Sequence, residues 1–442
     1  MSDNAGRPSE LPATLELLIS DINGVPRGKA IESSAIDAEE LPHFPKAILL
    51  QTINGKYCSA METLNAKDDD LLLKPDWGTY RSTPWKKQTG QLICESINKD
   101  TGKPIGFDSR NVLKQLVQQF NERDLYPIVA PELEFYFLEP NKKGSLELTP
   151  AIAEDGSTEA GGEAFSPDSL DKYSAIIEDL NTLCDQAGLA TSALVHEMGP
   201  AQIELNVDHG DVMDRIDQLF LLKRLVKACA VRHGKLASFM AKPMADYAGN
   251  GLHTHCSMAN SNGQNVFALE NGEAPPLLKH FIGGLQTYLP EAFALIAPNI
   301  NSYRRFVPGL SAPINLGWGY DNRTTGFRVP FGPDAAGRVE NRVAGADANP
   351  YLLMAANLAC GLLGIQESIE PTAAHEGDAY DDAADLPEHL YPALTALENC
   401  APLIGLLGED FVEAFLSAKR SELSHFGKHV SPWEVSYLGN QL

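Results

Sequence analysis

Four stretches of this chain carry carboxylate, imidazole or guanidinium groups two residues apart, the spacing that places side chains on one face of a β-strand. In residues 131–137, PELEFYF, it aligns Glu132 with Glu134. Two adjacent carboxylates repel one another unless a cation neutralises them. Residues 196–206, HEMGPAQIELN, hold Glu197 and Glu204 on either side of a Gly-Pro turn able to fold the first back towards the second. Residues 249–257, GNGLHTHCS, put His253, His255 and Ser257 on one face and Cys256 on the other, behind glycines that let the backbone approach a ligand closely. Residues 338–342, RVENR, align Arg338, Glu340 and Arg342, and Arg304, Arg305, Arg323 and Arg328 precede them.

Alone, each stretch reads as a half-exposed strand or hairpin, the histidines as hydrogen-bonded core residues and the arginines as scattered surface charge. Together they form a donor set of mostly oxygens with a single imidazole, which suits a hard divalent cation, Mg²⁺ or Mn²⁺, rather than structural zinc. Clustered arginines bind carboxylates and phosphates through paired hydrogen bonds. The chemistry these residue types suit is metal-dependent phosphoryl transfer on a curved sheet. The chain has neither a Walker A loop nor a kinase Gly-rich signature, so the common nucleotide-binding folds do not account for it.

Such strands need helices to support them, and strand-like and helix-like segments alternate irregularly, as in an α+β protein. Residues 13–60 contain short apolar runs broken at Asn23-Gly24, Pro26 and Asn54-Gly55, which reads as a small β-rich unit. A helix capped by Asp108 or Ser109 follows, with Val112, Leu113, Leu116, Val117 and Phe120 at helical spacing. A second helix starts at Asp211 and stops before Gly234. The expected division is a flexible N-terminus over residues 1–12, a first domain over 13–105 and a second over 106–442.

At 442 residues the chain is long enough for two or three domains. Its 35 Lys and Arg against 59 Asp and Glu give a formal charge of −24 and no basic stripe, which argues against nucleic acid as a partner. An acidic field instead concentrates cations. No apolar stretch approaches the ~20 residues that span a bilayer. The polar start lacks the apolar core of a secretory signal, so a cytoplasmic location without a membrane partner is expected. The cysteines are odd in number and form no CxxC pair, which suits reduced packing residues.

In their order along the chain, these stretches resemble the glutamine synthetase superfamily. The similarity runs from DINGVPRG at residues 21–28 to the C-terminus, through NSYRRFVPG at 301–309, NRTTGFRVP at 322–330 and ENRVAGADANPY at 340–351. The resemblance implies an N-terminal β-grasp domain and a catalytic domain whose curved antiparallel sheet, surrounded by helices, forms a bifunnel-shaped site. It also implies a homo-oligomeric ring, a hexamer or a stacked dodecamer, with each site completed by the neighbouring subunit's N-terminal domain. By the same resemblance Glu134, Glu197 and Glu204 would hold one divalent metal, and Glu132, His253 and Glu340 the other. Arg305, Arg342 and the Gly249 backbone would position glutamate, while His255, Ser257, Arg328 and Arg338 would contact ATP. Arg323 would steady the transferring phosphoryl group, which makes Arg323 and Arg305 the implied catalytic arginines. In the implied reaction the glutamate side-chain carboxylate attacks the γ-phosphate of ATP, and an amine then displaces phosphate from γ-glutamyl phosphate.

Two departures from the ammonia-using members bear on the amine. Their loop after Arg-x-x-Pro-Gly carries a glutamate, whereas residues 307–312, VPGLSA, place Ser311 there. Their Asp-Gly-Ser-Ser segment is missing, and residues 47–60 contain no carboxylate. Loss of two acids frees volume and lowers polarity where the amine enters, favouring a bulkier primary amine over ammonium. The chain is thus similar to the γ-glutamylpolyamine or γ-glutamylamine synthetase branch. The implied activity is an ATP-dependent, ADP-forming ligation of glutamate to a polyamine or to an alkyl or aromatic monoamine, with Leu50, Ile53, Tyr57, Leu310 and Ser311 as candidate pocket residues. The competing readings are an ordinary ammonia-using glutamine synthetase, a catalytically silent scaffold or sensor, and a metal-dependent phosphohydrolase. The tyrosine-bearing loop that bacterial relatives adenylylate is not recognisable around residues 378–382.

Overall fold

The computed structural model describes residues 6–37, 40–140, 147–381 and 386–439, and builds two sheets from separate stretches of chain. The first comprises β1 (Thr14–Ser20), β2 (Pro26–Glu32), β3 (His43–Pro45), β4 (Asp70–Pro75), β5 (Arg81–Ser82) and β6 (Thr89–Asn98). Its order is β2-β1-β6-β4-β3 with β5 beside β6, and β1 and β6 run parallel at its centre. Arg7, within the stretch expected to be flexible, lies over the Trp77 ring at 4.9 Å from its centroid, and residues 1–5 lie outside the described residues.

The second sheet comprises β7 (Tyr126–Leu138), β8 (Thr191–His196), β9 (Gln202–Val207), β10 (Gly210–Asp211), β11 (Leu236–Ser238), β12 (Leu252–Ala259), β13 (Trp318–Tyr320), β14 (Phe327–Val329) and β15 (Val339–Asn341). The order is β13-β14-β15-β12-β7-β9-β8, with β10 and β11 also pairing with the long β7. One pair departs from the antiparallel expectation: β13 and β14 run parallel, with Trp318 beside Phe327 and Tyr320 beside Val329.

Helices cover the sheet. Ser109–Asn121 starts at Asp108, whose carboxylate accepts from the backbone N–H groups of Arg110 and Asn111 at 2.8 and 3.4 Å. Val212–Arg232 starts at Asp211 and ends ahead of left-handed Gly234. Asn349 caps Pro350–Glu367 by accepting from the Tyr351 N–H at 3.0 Å, and its amide donates to the Asp21 carbonyl at 3.1 Å, which ties that helix to the first sheet. All seven cysteines are buried and unpaired. Among the described residues no single helix is long and apolar enough to cross a membrane.

Candidate active site

β7 forms the centre of the site. Its Glu132 lies between Asn206 of β9 and His253 of β12, and its Glu134 lies opposite Glu204 of β9. Two residues along, Ala130 faces His255, which faces Glu340 of β15, which in turn faces Arg328 of β14. Because strand side chains alternate, this register turns sequence-distant carboxylates and imidazoles onto one face.

The contacts are close. His255 Nε2 lies 3.0 Å from Glu132 Oε1, and Arg338 Nε donates to His255 Nδ1 at 3.3 Å, which assigns the ring proton to Nε2, facing the carboxylate. His253 Nδ1 lies 3.5 Å from Glu132 Oε2 and 3.9 Å from Glu340 Oε1, while its Nε2 lies 3.7 Å from Glu134 Oε1. Glu132, His253 and Glu340 form one group whose donor atoms all lie within 4.8 Å of one another, and Glu134, Glu204 and His253 form a second. Glu197 lines the same cavity but falls outside both groups, because it sits in the turn beyond β8 rather than on a strand.

These residues fit divalent cations on two observations. His253 Nε2 is buried without a hydrogen-bond partner. Gly251 also keeps a space open beside it, since a Cβ there would lie 2.6 Å from His253 Nε2, 2.9 Å from Arg305 Nη2 and 3.1 Å from Glu134 Oε1.

The electrostatics agree with an assembly short of positive charge. Burial, and then the charges of Glu132, Glu134, Glu197 and Glu340, push the Glu204 carboxyl up to about 9. Burial and then Glu134 push Glu197 up to about 8. Burial acts against ionisation of Glu340 too, yet Arg342, followed by His255 and His253, holds it down at about 2. Burial is likewise outweighed at Glu132, where His253 and His255 hold the carboxyl well below the usual range.

Two cavities meet at Glu132 and Asn206, which line both. The first, of about 850 Å³, is lined by His255, Ser257 and Arg338. The second, of about 560 Å³, holds Glu134, Glu197 and Glu204 with Arg323, Arg328, Arg342, Ser311 and Tyr380. Arg328 thus stands on the second cavity, bridging Glu340 at 2.9 Å and Asp321 at 3.0 Å. Arg342 Nη1 donates to Glu340 at 2.6 Å, and its buried Nε has no partner. Arg305 is buried behind this wall and donates to the carbonyls of Val343 and Arg342 at 2.7 and 3.2 Å. The Gly249 carbonyl accepts from Gln202 Nε2 at 3.0 Å.

Of the candidate amine-pocket residues, only Ser311 lines this cavity, with its hydroxyl 2.8 Å from Met198 Sδ. Leu310 is half-buried in the same loop. Leu50 is fully buried in the core, so its side chain reaches no pocket. Ile53 and Tyr57 are exposed on the same stretch between β3 and β4, with the Ile53 N–H bonded to Glu422. Sequence reasoning gave no role to Gln202 and Asn206, although they continue the period-two row of Glu204. It also missed Phe165, Met198 and Tyr380, which line the second cavity, and Glu159, which accepts from the Ala201 N–H at 2.8 Å and bonds His196 at 3.0 Å. Phe165 and Glu159 fall between helices and strands, where no periodicity marks a face.

The chain is 35% identical over 432 residues to gamma-glutamylputrescine synthetase PuuA of Escherichia coli, spanning 96% of this chain and 91% of that protein. It is 33% identical over 445 residues to glutamine synthetase of Pyrococcus abyssi, spanning 96% of each. A solved structure titled "GmaS/ADP complex-Conformation 1" superposes with a TM-score of 0.85 at 29% identity, covering 100% of this chain and 99% of that one. The family profile described as "Glutamine synthetase, catalytic domain" matches residues 106–438, and the chain belongs to the glutamine synthetase family.

Proposed function

We propose that this protein is an ATP-dependent glutamate–amine ligase that joins the γ-carboxylate of glutamate to an organic primary amine. The observation that carries the reading is the convergence of Glu132, Glu134, Glu204, His253 and Glu340 where two cavities meet. Divalent cations held by these donors would offset the repulsion between a carboxylate nucleophile and a triphosphate. The first cavity is of a size for a nucleotide, and His255, Ser257 and Arg338 supply its polar lining. In the second, the unpartnered Arg342 Nε suits the carboxylates of glutamate, and exposed Arg323 suits the oxygens of the moving phosphoryl group. A γ-carboxylate oxygen attacks the terminal phosphorus and ADP leaves. The amine nitrogen then attacks the acyl carbon, inorganic phosphate leaves, and the nitrogen gives up a proton.

The similarity to a gamma-glutamylputrescine synthetase and the absence of acids from residues 47–60 support an organic amine. The similarity to a glutamine synthetase favours ammonia as the second reading. Family membership supports a homo-oligomeric ring, in which exposed Ile53 and Tyr57 would serve a neighbouring chain's cavity. ADP formation by the purified protein with ATP, Mg²⁺ and glutamate, compared across ammonia, putrescine, alkylamines and aromatic amines, tests all of this. The expected result is glutamate-dependent turnover that prefers an organic amine. Equal or faster turnover with ammonia would select the second reading, and phosphate release without glutamate would remove both.

A further inference from the structure

We infer that the second cavity accepts an amine with an apolar, uncharged chain, an alkyl or aralkyl monoamine, in preference to a diamine or polyamine, and that Phe165 sets this preference. The inference rests on the ligase reading above and narrows it. Beside the metal-ligand candidates, the arginines and the uncharged polar groups of Asn206, Ser311, Thr324 and Tyr380, the cavity lining carries an apolar group, Ala164, Phe165, Val195 and Met198. Phe165 is 66% exposed, so its ring gains little from burial in the free protein and offers an aromatic face to a hydrocarbon chain. Its backbone also sits at φ +60°, in the left-handed region that bulky residues avoid.

That conformation is held in place. The Phe165 N–H donates to the His196 carbonyl at 2.8 Å, and the His196 ring is fixed by Glu159 at 3.0 Å. Glu159 also takes the Ala201 N–H, which ties the turn carrying Glu197 and Met198 to the stretch carrying Phe165. A strained, exposed aromatic held by a buried network beside a cavity is the kind of outlier that marks a ligand contact. Met198 lines the same cavity, with its sulfur accepting from the Ser311 hydroxyl.

A second ammonium would need its own acid. Among the described residues lining this cavity the acids are Glu132, Glu134, Glu197 and Glu204; Glu132, Glu134 and Glu204 belong to the two metal-ligand groups, and the family resemblance gives Glu197 to the same cation as Glu134 and Glu204. Glu163, two residues from Phe165, is already engaged by Ser169 and by Lys172, the latter at 3.2 Å. Residues 47–60, the stretch a neighbouring copy would lend, contain no Asp or Glu. The distal charge of a diamine would therefore be desolvated against Phe165 and Met198 without a counter-charge.

The test compares n-pentylamine with putrescine, chains of equal length ending in a methyl group or an ammonium, using the full chain with ATP, Mg²⁺ and glutamate. kcat/KM is expected to favour n-pentylamine by about tenfold or more. Phe165→Ala should lower kcat/KM for n-pentylamine by about tenfold while methylamine changes by less than about twofold and the KM values for ATP and glutamate hold. Phe165→Leu should keep most of the n-pentylamine rate. Putrescine turning over as well as n-pentylamine, or Phe165→Ala slowing both monoamines alike, would overturn the inference while leaving the ligase reading intact. Absence of glutamate-dependent turnover with every amine would overturn both.

Discussion

Glu134 and Glu204 stand directly opposite one another on β7 and β9, a like-charge cross-strand pair of the kind that destabilises a sheet. Glu134 is satisfied by the Gly251 N–H at 2.6 Å. Glu204 has no comparable donor among the described contacts, and burial with its charged neighbours pushes its carboxyl up to about 9. The site thus gives up folding stability for a cluster that a cation would complete.

This sets a pH signature for the metal-free protein. The Glu204 carboxyl holds its proton to a higher pH in the folded than in the unfolded chain, so its contribution makes stability fall as pH rises from 4.5 towards about 9. Glu204→Gln removes that term. In EDTA its Tm should equal or exceed the parent's at the alkaline end, by about 1–2 °C, with a flatter profile. Mg²⁺ should raise the parent's Tm by mass action and the variant's much less, and glutamate-dependent ADP formation should drop by about a hundredfold or more. Scanning fluorimetry across this range checks the stability claims, and a variant less stable than its parent at every pH would make Glu204 a structural carboxylate.

Much of this arrangement was legible from residue types, and the reason is the period of two. Alternation alone placed Glu132 with Glu134, and His253 with His255. It could not give the pairing of Glu134 with Glu204, which depends on how strands 70 residues apart align. Leu50 was misjudged because an apolar residue reads alike whether it faces a core or a pocket, and only packing reveals that it is fully buried. Glu197 resembled Glu204 as an acid flanking a turn, yet the turn, not a strand, carries it. Phe165 gave no signal, because its role depends on a backbone conformation that composition does not report.

Gly251→Ala should separate metal binding from folding. The added methyl would occupy the space between His253, Arg305 and Glu134 without requiring a left-handed backbone, since Gly251 is not among the positive-φ residues. The expected outcome is an unchanged far-ultraviolet circular dichroism spectrum, loss of the Mg²⁺-induced rise in Tm, and activity reduced by about a hundredfold. An undiminished Mg²⁺ response would place the cation elsewhere.

Stability far from the site should depend on a buried ion pair between the helices Ser109–Asn121 and Val212–Arg232. Arg110 donates to Asp217 through Nε at 2.8 Å and Nη2 at 2.7 Å, and the Tyr351 hydroxyl donates to the same carboxylate at 2.7 Å. Both charged side chains are nearly inaccessible, at 5% and 6% exposure. Asp217→Ala leaves the buried guanidinium with Asp76, 2.6 Å from Nη2, as its remaining carboxylate, and should cost about 1.5–3 kcal/mol. A lower urea midpoint, with full specific activity in the fraction that remains folded, is the expected pattern. A midpoint within error of the parent's would show the pair to be energetically neutral.

The amine preference should respond to a single restored acid at Ser311. This residue lines the second cavity at φ +65°, and its hydroxyl rests on the Met198 sulfur. Ser311→Glu would add a negative charge and bulk where we propose that the amine chain enters. Both effects favour a small cation over an alkyl group, because the charge pairs with ammonium and the longer side chain displaces hydrocarbon from Met198 and Phe165. Steady-state assays should show kcat/KM for ammonia rising and that for n-pentylamine falling, each by about tenfold, which corresponds to about 1.4 kcal/mol in each direction. If both substrates slow together, with unchanged KM values for ATP and glutamate, the loop only orders the site and the choice of amine must be made by residues closer to Phe165.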